Sequence, residues 1–156
     1  KQVSQIIDKL NSMNISLPTP PKPGGNYVPT VRTGNLVFTS GVTPKRADGT
    51  AFIGKLGQDL TVDEGYEAAR SCALALLANL DKELGDLDKI NRVVKVLGMV
   101  NSTPDFTQAP AVINGCSDFL VELMGDKARH ARSAVGMASL PGGVAVEIEM
   151  IVEVSD

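Results

Sequence analysis

Residues 144–154 constrain the fold more than any other stretch of the chain. Val144, Val146, Ile148, Met150, Val152 and Val154 form one row, and Ala145, Glu147, Glu149, Ile151 and Glu153 form the other. Successive side chains of an extended strand point to opposite faces, so a period of two predicts a strand with one apolar face. That face needs a cover supplied by the rest of the chain. The glutamate-bearing face must meet water or another subunit.

The cover is found upstream. Thr61-Val62-Asp63-Glu64 is a capping box, in which the Thr61 hydroxyl accepts from the Glu64 amide while Glu64 reaches back. Helix formers follow to Leu84, and Gly85 supplies the stop. Ala68, Ala69, Cys72, Ala73, Ala75, Leu76 and Leu80 are small or apolar over a wide arc, so this helix can lie close to a sheet. A second helix is predicted over 110–124, with Val112, Cys116, Phe119, Leu120 and Leu123 on one side and Gly125 after it. Residues 2–13 predict a third, amphipathic helix on the stripe Val3, Ile6, Ile7, Leu10 and Met13. The prolines at 18, 20, 21 and 23 then dictate an extended linker.

Strands are expected at 27–32 and 36–40 around the turn Gly34-Asn35, a hairpin signal. Residues 90–101 are almost continuously apolar, which predicts a strand covered on both faces. Another strand is expected at 133–139, followed by the turn Leu140-Pro141-Gly142-Gly143. The segment 43–60, with Pro44, Gly49, Gly54 and Gly57, reads as a loop with room for one short strand. The order predicts an α+β class: one mixed sheet with two helices on one face, in a single domain over 1–156. Residues 1–25 form its N-terminal helix and Pro-rich linker, and 26–156 its core.

Composition narrows the functions. The chain has 156 residues, 43% hydrophobic and 21% charged, with a net charge of −3. A phosphate-backbone binder usually clusters Lys and Arg, so nucleic acid is not the expected partner. No apolar run reaches the roughly 18 residues of a membrane helix, so no membrane is expected either. No secretory segment is visible, and the two cysteines, Cys72 and Cys116, lie in apolar helical patterns. Reduced, buried thiols and a cytoplasmic location are the expectation. His130 is the one histidine, and it is read as a loop residue whose ring can rim a cleft. With one histidine and two cysteines, neither a zinc site nor a hydrolytic triad has enough ligands or partners. No metal and no cofactor is expected. Any chemistry must run on carboxylate, guanidinium, hydroxyl and water.

Arg132 and Glu147 stand out within that set. An antiparallel pairing of their strands through the turn at Pro141-Gly142 would bring them near each other at one end of the sheet. A guanidinium matches a carboxylate bidentately, and an adjacent glutamate can orient a water or move a proton. The same spacing also suits a cross-strand ion pair on a solvated face.

At these residues the sequence resembles the RidA/YjgF family. Three blocks match in order: Tyr27 followed by Gly34-Asn35-Leu36-Val37-Phe38-Thr39-Ser40-Gly41, then Ala131-Arg132-Ser133, then Leu140-Pro141 with Val146-Glu147-Ile148-Glu149. The resemblance implies a chorismate-mutase-like fold and a barrel-like homotrimer with sites in the clefts between subunits. It implies hydrolysis of small 2-imino or enamine acids to 2-keto acids and ammonia, without a cofactor. Arg132 would grip the substrate carboxylate and Glu147 would place the water. Tyr27, Ser40 and Gly41 would line the cleft. Ala134, Val42 and Pro110 depart from the deaminase pattern and mark a divergent branch. A non-catalytic cleft that holds a small carboxylate or keto acid is the alternative. Endoribonuclease activity, a name often attached to the family, is the third reading.

Overall fold

A computed structural model describes residues 4–156. Eight elements follow one another: α1 (Gln5–Ser12), β1 (Thr30–Thr33), β2 (Leu36–Thr39), α2 (Val62–Leu84), β3 (Ile90–Asn101), α3 (Ala109–Met124), β4 (Ala131–Met137) and β5 (Val146–Val154). The strands form one mixed sheet in the order β1-β2-β5-β3-β4. All neighbours are antiparallel except β3 and β4, which run parallel.

The alternation in β5 decides what the sheet buries. Val146, Ile148, Met150, Val152 and Val154 are all buried, while Glu147, Glu149 and Ile151 are half-buried and Glu153 is exposed. Val37, Val152 and Val93 stand side by side across three strands, and each is fully buried. Helices α2 and α3 cover this face and share one core with it. The Thr61 capping box starts α2 as its chemistry requires, and Gly85 ends it at φ 74°, where a side chain would be strained. On β3, Val93, Val96 and Val100 face the helices, but Val94, Leu97 and Met99 on the other side are only half-buried. The expected cover on both faces of this strand is therefore not supplied by the chain itself.

The last strand corrects the expected hairpin. Strand β4 does not pair with β5, because the segment between them is captured elsewhere. The Ala145 amide donates to the Phe52 carbonyl at 2.8 Å, and the Ala145 carbonyl accepts from the Asn101 amide at 2.8 Å. Val144 bridges to Ile53. These bonds carry the chain past the end of β3, and β5 enters on its far side, between β2 and β3. Strand β4 also begins two residues earlier than expected, at Ala131. The segment 43–60 forms no named strand; it meets its neighbours through single bridges such as Ile53 with Val144 and Leu56 with Ser102.

The N-terminal helix is pinned to the body by one carboxylate. Asp88 accepts from the Gln5 amide at 2.7 Å, the Ile6 amide at 3.1 Å and the Ser4 hydroxyl at 2.8 Å. Free amides at a helix N-terminus favour an anion there. Burial opposes the charged form of Asp88, but these bonds outweigh it and hold the acid below its ordinary pKa. Ile6 and Leu10 are buried in the common core; Val3 of the predicted stripe lies outside the described residues. No helix of the described residues is long and apolar enough to cross a membrane.

Glycines set how closely the helices approach. A Cβ on Gly115 of α3 would run into the Tyr66 carbonyl of α2. A Cβ on Gly98 of β3 would lie 2.6 Å from the Ile113 side chain. Backbone cannot give way as a side-chain tip can, so Gly115→Ala should destabilise the fold by about 1–3 kcal/mol. Thermal denaturation measures this; an unchanged melting temperature would show that α2 and α3 can separate freely.

Candidate functional site

Arg132 is set by its register. It pairs with Val96 of β3, which in turn pairs with Met150 of β5, and both partners are buried beneath the helices. Arg132 therefore leaves the edge of the sheet on the helix side. Its Nη1 donates to Asn114 Oδ1 at 2.8 Å and to Ser117 Oγ at 3.1 Å, both on α3. Ser117 in turn lies 2.9 Å from His130 Nε2. Among the described residues the ion pairs are Arg32 with Asp156 and Arg129 with Asp126. The half-buried Arg132 guanidinium has no carboxylate partner among the described residues, and its Nε and Nη2 donate to none of them.

Glu147 is set by β5. It pairs with Met99, on the row of β3 that faces away from the helices. Burial raises its pKa above the ordinary 4.5, and the nearby charge of Glu149 adds to the rise. Gly41 lies against it: a Cβ there would come within 2.5 Å of Glu147 Oε2. The next residue back, Ser40, donates its hydroxyl to the Val28 carbonyl at 2.6 Å and its amide to the Pro29 carbonyl at 2.8 Å. Tyr27 precedes Val28, is 52% exposed, and accepts the Gly24 amide at its phenol oxygen. Tyr27, Ser40, Gly41 and Glu147 thus belong to one region of the chain.

Arg132 belongs to another. The expectation that it stands beside Glu147 across a hairpin is corrected, because β3 separates their strands and the two side chains leave opposite faces of the sheet. The candidate residues fall into two groups: a guanidinium at the β4 edge, and a carboxylate with Ser40, Gly41 and Tyr27 toward the β1–β2 side. A hollow of about 730 Å³ lies between the Pro-rich linker, the 43–52 segment and α2 and holds none of the expected site residues. Among the described residues no three His, Cys, Asp or Glu side chains gather to share a metal ion.

Sequence reasoning missed the support given to Arg132 by Asn114 and Ser117. A signal existed: the two lie three apart on α3 and so share a helix face. His130 and Arg132 lie two apart where the strand begins and so share a side.

Comparison with known proteins agrees with this fold. A family model described as "YjgF/chorismate mutase-like, putative endoribonuclease" matches residues 8–152. Protein TCP17 of Trypanosoma cruzi is 43% identical over 97% of this chain and 96% of its own length. The crystal structure of the protein Atu1372 from Agrobacterium tumefaciens is 41% identical, with a TM-score of 0.89, over 97% of this chain and 93% of that one. RidA from an Antarctic Psychrobacter is 24% identical with a TM-score of 0.61, over 87% and 94% of the two chains, and shares the fold. A family match over nearly the whole length, on a mixed sheet with three helices, places the chain in the YjgF/RidA family.

Proposed function

We propose that the protein hydrolyses small reactive 2-imino or enamine acids to 2-keto acids and ammonia, in clefts shared between copies of a homotrimer. The observation that carries this reading is the unpaired state of Arg132. A half-buried guanidinium, anchored through one amino group and facing no carboxylate among the described residues, presents a bidentate fork to a ligand carboxylate. Glu147 is the complementary group, a half-buried carboxylate that burial makes a stronger proton acceptor than an exposed one.

The two halves need a second copy to meet. The sheet face away from the helices is uncovered, with Phe38 42% exposed and Val135 on the β4 edge 41% exposed. A symmetric ring of copies covers such faces and brings the β4 edge of one chain toward the β1–β2 side of the next.

The chemistry then follows. Arg132 binds the substrate carboxylate and fixes the angle of the imine carbon. The protonated imine is already electrophilic. Glu147 orients a water and takes one of its protons as the oxygen bonds to that carbon. Glu147 returns that proton to the carbinolamine nitrogen, the C–N bond breaks, and ammonia leaves as the hydroxyl gives its proton back to Glu147 and becomes the ketone oxygen; the ammonia then takes this proton and leaves the carboxylate free. One water is consumed and no electrons are transferred. The net charge of −3 and the absence of a basic stripe favour this small anionic substrate over RNA.

Imine generated in the cuvette by an amino-acid oxidase provides the test. Wild-type protein should speed the loss of 2-iminobutyrate, and Arg132→Ala and Glu147→Gln should each lower turnover by about 10²-fold or more. Turnover that survives Arg132→Ala would remove the assigned role. Binding of 2-ketobutyrate with no turnover at all would favour the non-catalytic cleft.

Glu147 also carries a stability prediction. Its folded-state pKa lies above 4.5, so folding favours the protonated acid. That contribution is complete below the unfolded value and is lost as pH rises through the folded one. Glu147→Gln should therefore melt higher than wild type at pH 7 and no higher at pH 4. Differential scanning calorimetry decides it, and a lower melting temperature at pH 7 would contradict the assigned burial cost.

A further inference from the structure

The hydrogen bonds behind Arg132 have fixed directions. The Ala128 carbonyl can only accept, so His130 Nδ1, 2.7 Å away, carries the ring proton. Nε2 is then a lone pair, and the Ser117 hydroxyl 2.9 Å from it must donate to it. Arg132 Nη1 can only donate, and it meets the free side of Ser117 Oγ at 3.1 Å. Asn114 Oδ1 accepts from the same nitrogen at 2.8 Å. With the His130 ring neutral every donor meets an acceptor and Arg132 carries the one positive charge of the network.

The surroundings keep it so. Burial lowers the His130 pKa; the Ala128 bond works the other way, and the Arg132 charge adds to the lowering. The other charges near this corner are engaged. Arg129 pairs with Asp126 at 3.0 Å, and Lys127 donates to the Ile90 carbonyl at 3.0 Å. Arg92 of β3 donates to the Arg129 carbonyl at 3.3 Å. Asp118 of α3 accepts from Tyr66 of α2 at 3.0 Å. The Cys116 thiol, beneath the same helix face, is pushed up to about 12 by burial although Arg132 pulls it down, and it stays uncharged.

We propose that Ser117 and His130 are positioning residues that hold Arg132 in the orientation for gripping a ligand carboxylate, a role that rests on the reading of Arg132 given above. The imidazole accepts the Ser117 hydroxyl hydrogen bond and so turns the oxygen's lone pairs toward Nη1. Nη1 is anchored, and Nε and Nη2 remain for the ligand. A proton on Nε2 would turn the Ser117 hydroxyl hydrogen away from the ring and set a second positive charge beside Nη1. Repulsion between the two cations then loosens the anchor, and carboxylate affinity falls in acid. The transition lies below the ordinary histidine value of 6.5, because the ring is held under it.

Binding of 2-ketobutyrate to the full chain, followed by calorimetry from pH 5 to 8, tests this. Wild-type affinity should weaken as pH falls below 6.5. Ser117→Ala and His130→Asn should each weaken it about tenfold at pH 7.5. In 2-iminobutyrate turnover their loss should fall on KM and not on kcat. His130→Gln places an amide oxygen near the Nε2 position; it should recover affinity relative to His130→Asn and flatten the acid limb. Wild-type affinity in both weakening variants, or an acid limb that persists in His130→Gln, overturns the proposal. Should Ser117→Ala fail to fold, the contrast between the two histidine variants decides. Binding that survives Arg132→Ala would instead overturn the functional reading itself.

Discussion

Strand β5 pairs with two neighbours at once, and the site depends on that pairing. Its buried row must lie under the helices, where each large apolar side chain contributes about 1.5–3 kcal/mol. A slip of one residue would send Glu147 into the core and Ile148 out of it. The register with β3 fixes Glu147 opposite Met99 on the open face, and the bridge between Ile148 and Val42 brings Gly41 against it. Packing energy thereby holds a carboxylate half-buried without a counter-charge. The cost of that burial is visible in its raised pKa.

The guanidinium half is built on the opposite face by different means. There the parallel pairing of β4 with β3 sets Arg132, and α3 supplies the acceptors that orient it. A charged group left without an opposite charge is a poor stability element and a good ligand site. The two halves share no contact within one chain. The proposed chemistry therefore requires copies of the chain to assemble.

Much of the fold was legible in the residues. The capping box and Gly85 placed α2 within a residue at each end, because local chemistry alone sets those ends. The alternation in β5 gave its faces for the same reason. Strand order was not legible. It depends on bonds between distant segments, such as Ala145 with Phe52, which no local pattern encodes. Pro141-Gly142 looked like a hairpin turn, and the conformation there is tight, with Gly142 at φ 67°. The chain nonetheless passes on to another neighbour. The family resemblance named Arg132 and Glu147, but their separation on two faces appears only when the register is known. The three-residue spacing of Asn114 and Ser117 and the place of His130 beside Arg132 are weak signals, because a network of single hydrogen bonds spread over a helix and a strand leaves no motif.

Complementation between inactive variants tests the central claim most directly. Arg132→Ala and Glu147→Gln chains would be co-expressed with different tags, purified as mixed assemblies and assayed on 2-iminobutyrate. If each cleft takes its guanidinium from one copy and its carboxylate from the next, random mixing leaves about a quarter of the clefts intact, and activity returns to about that fraction of wild type. Mixed assemblies as inactive as either parent would contradict the account, because both groups would then have to act from the same chain.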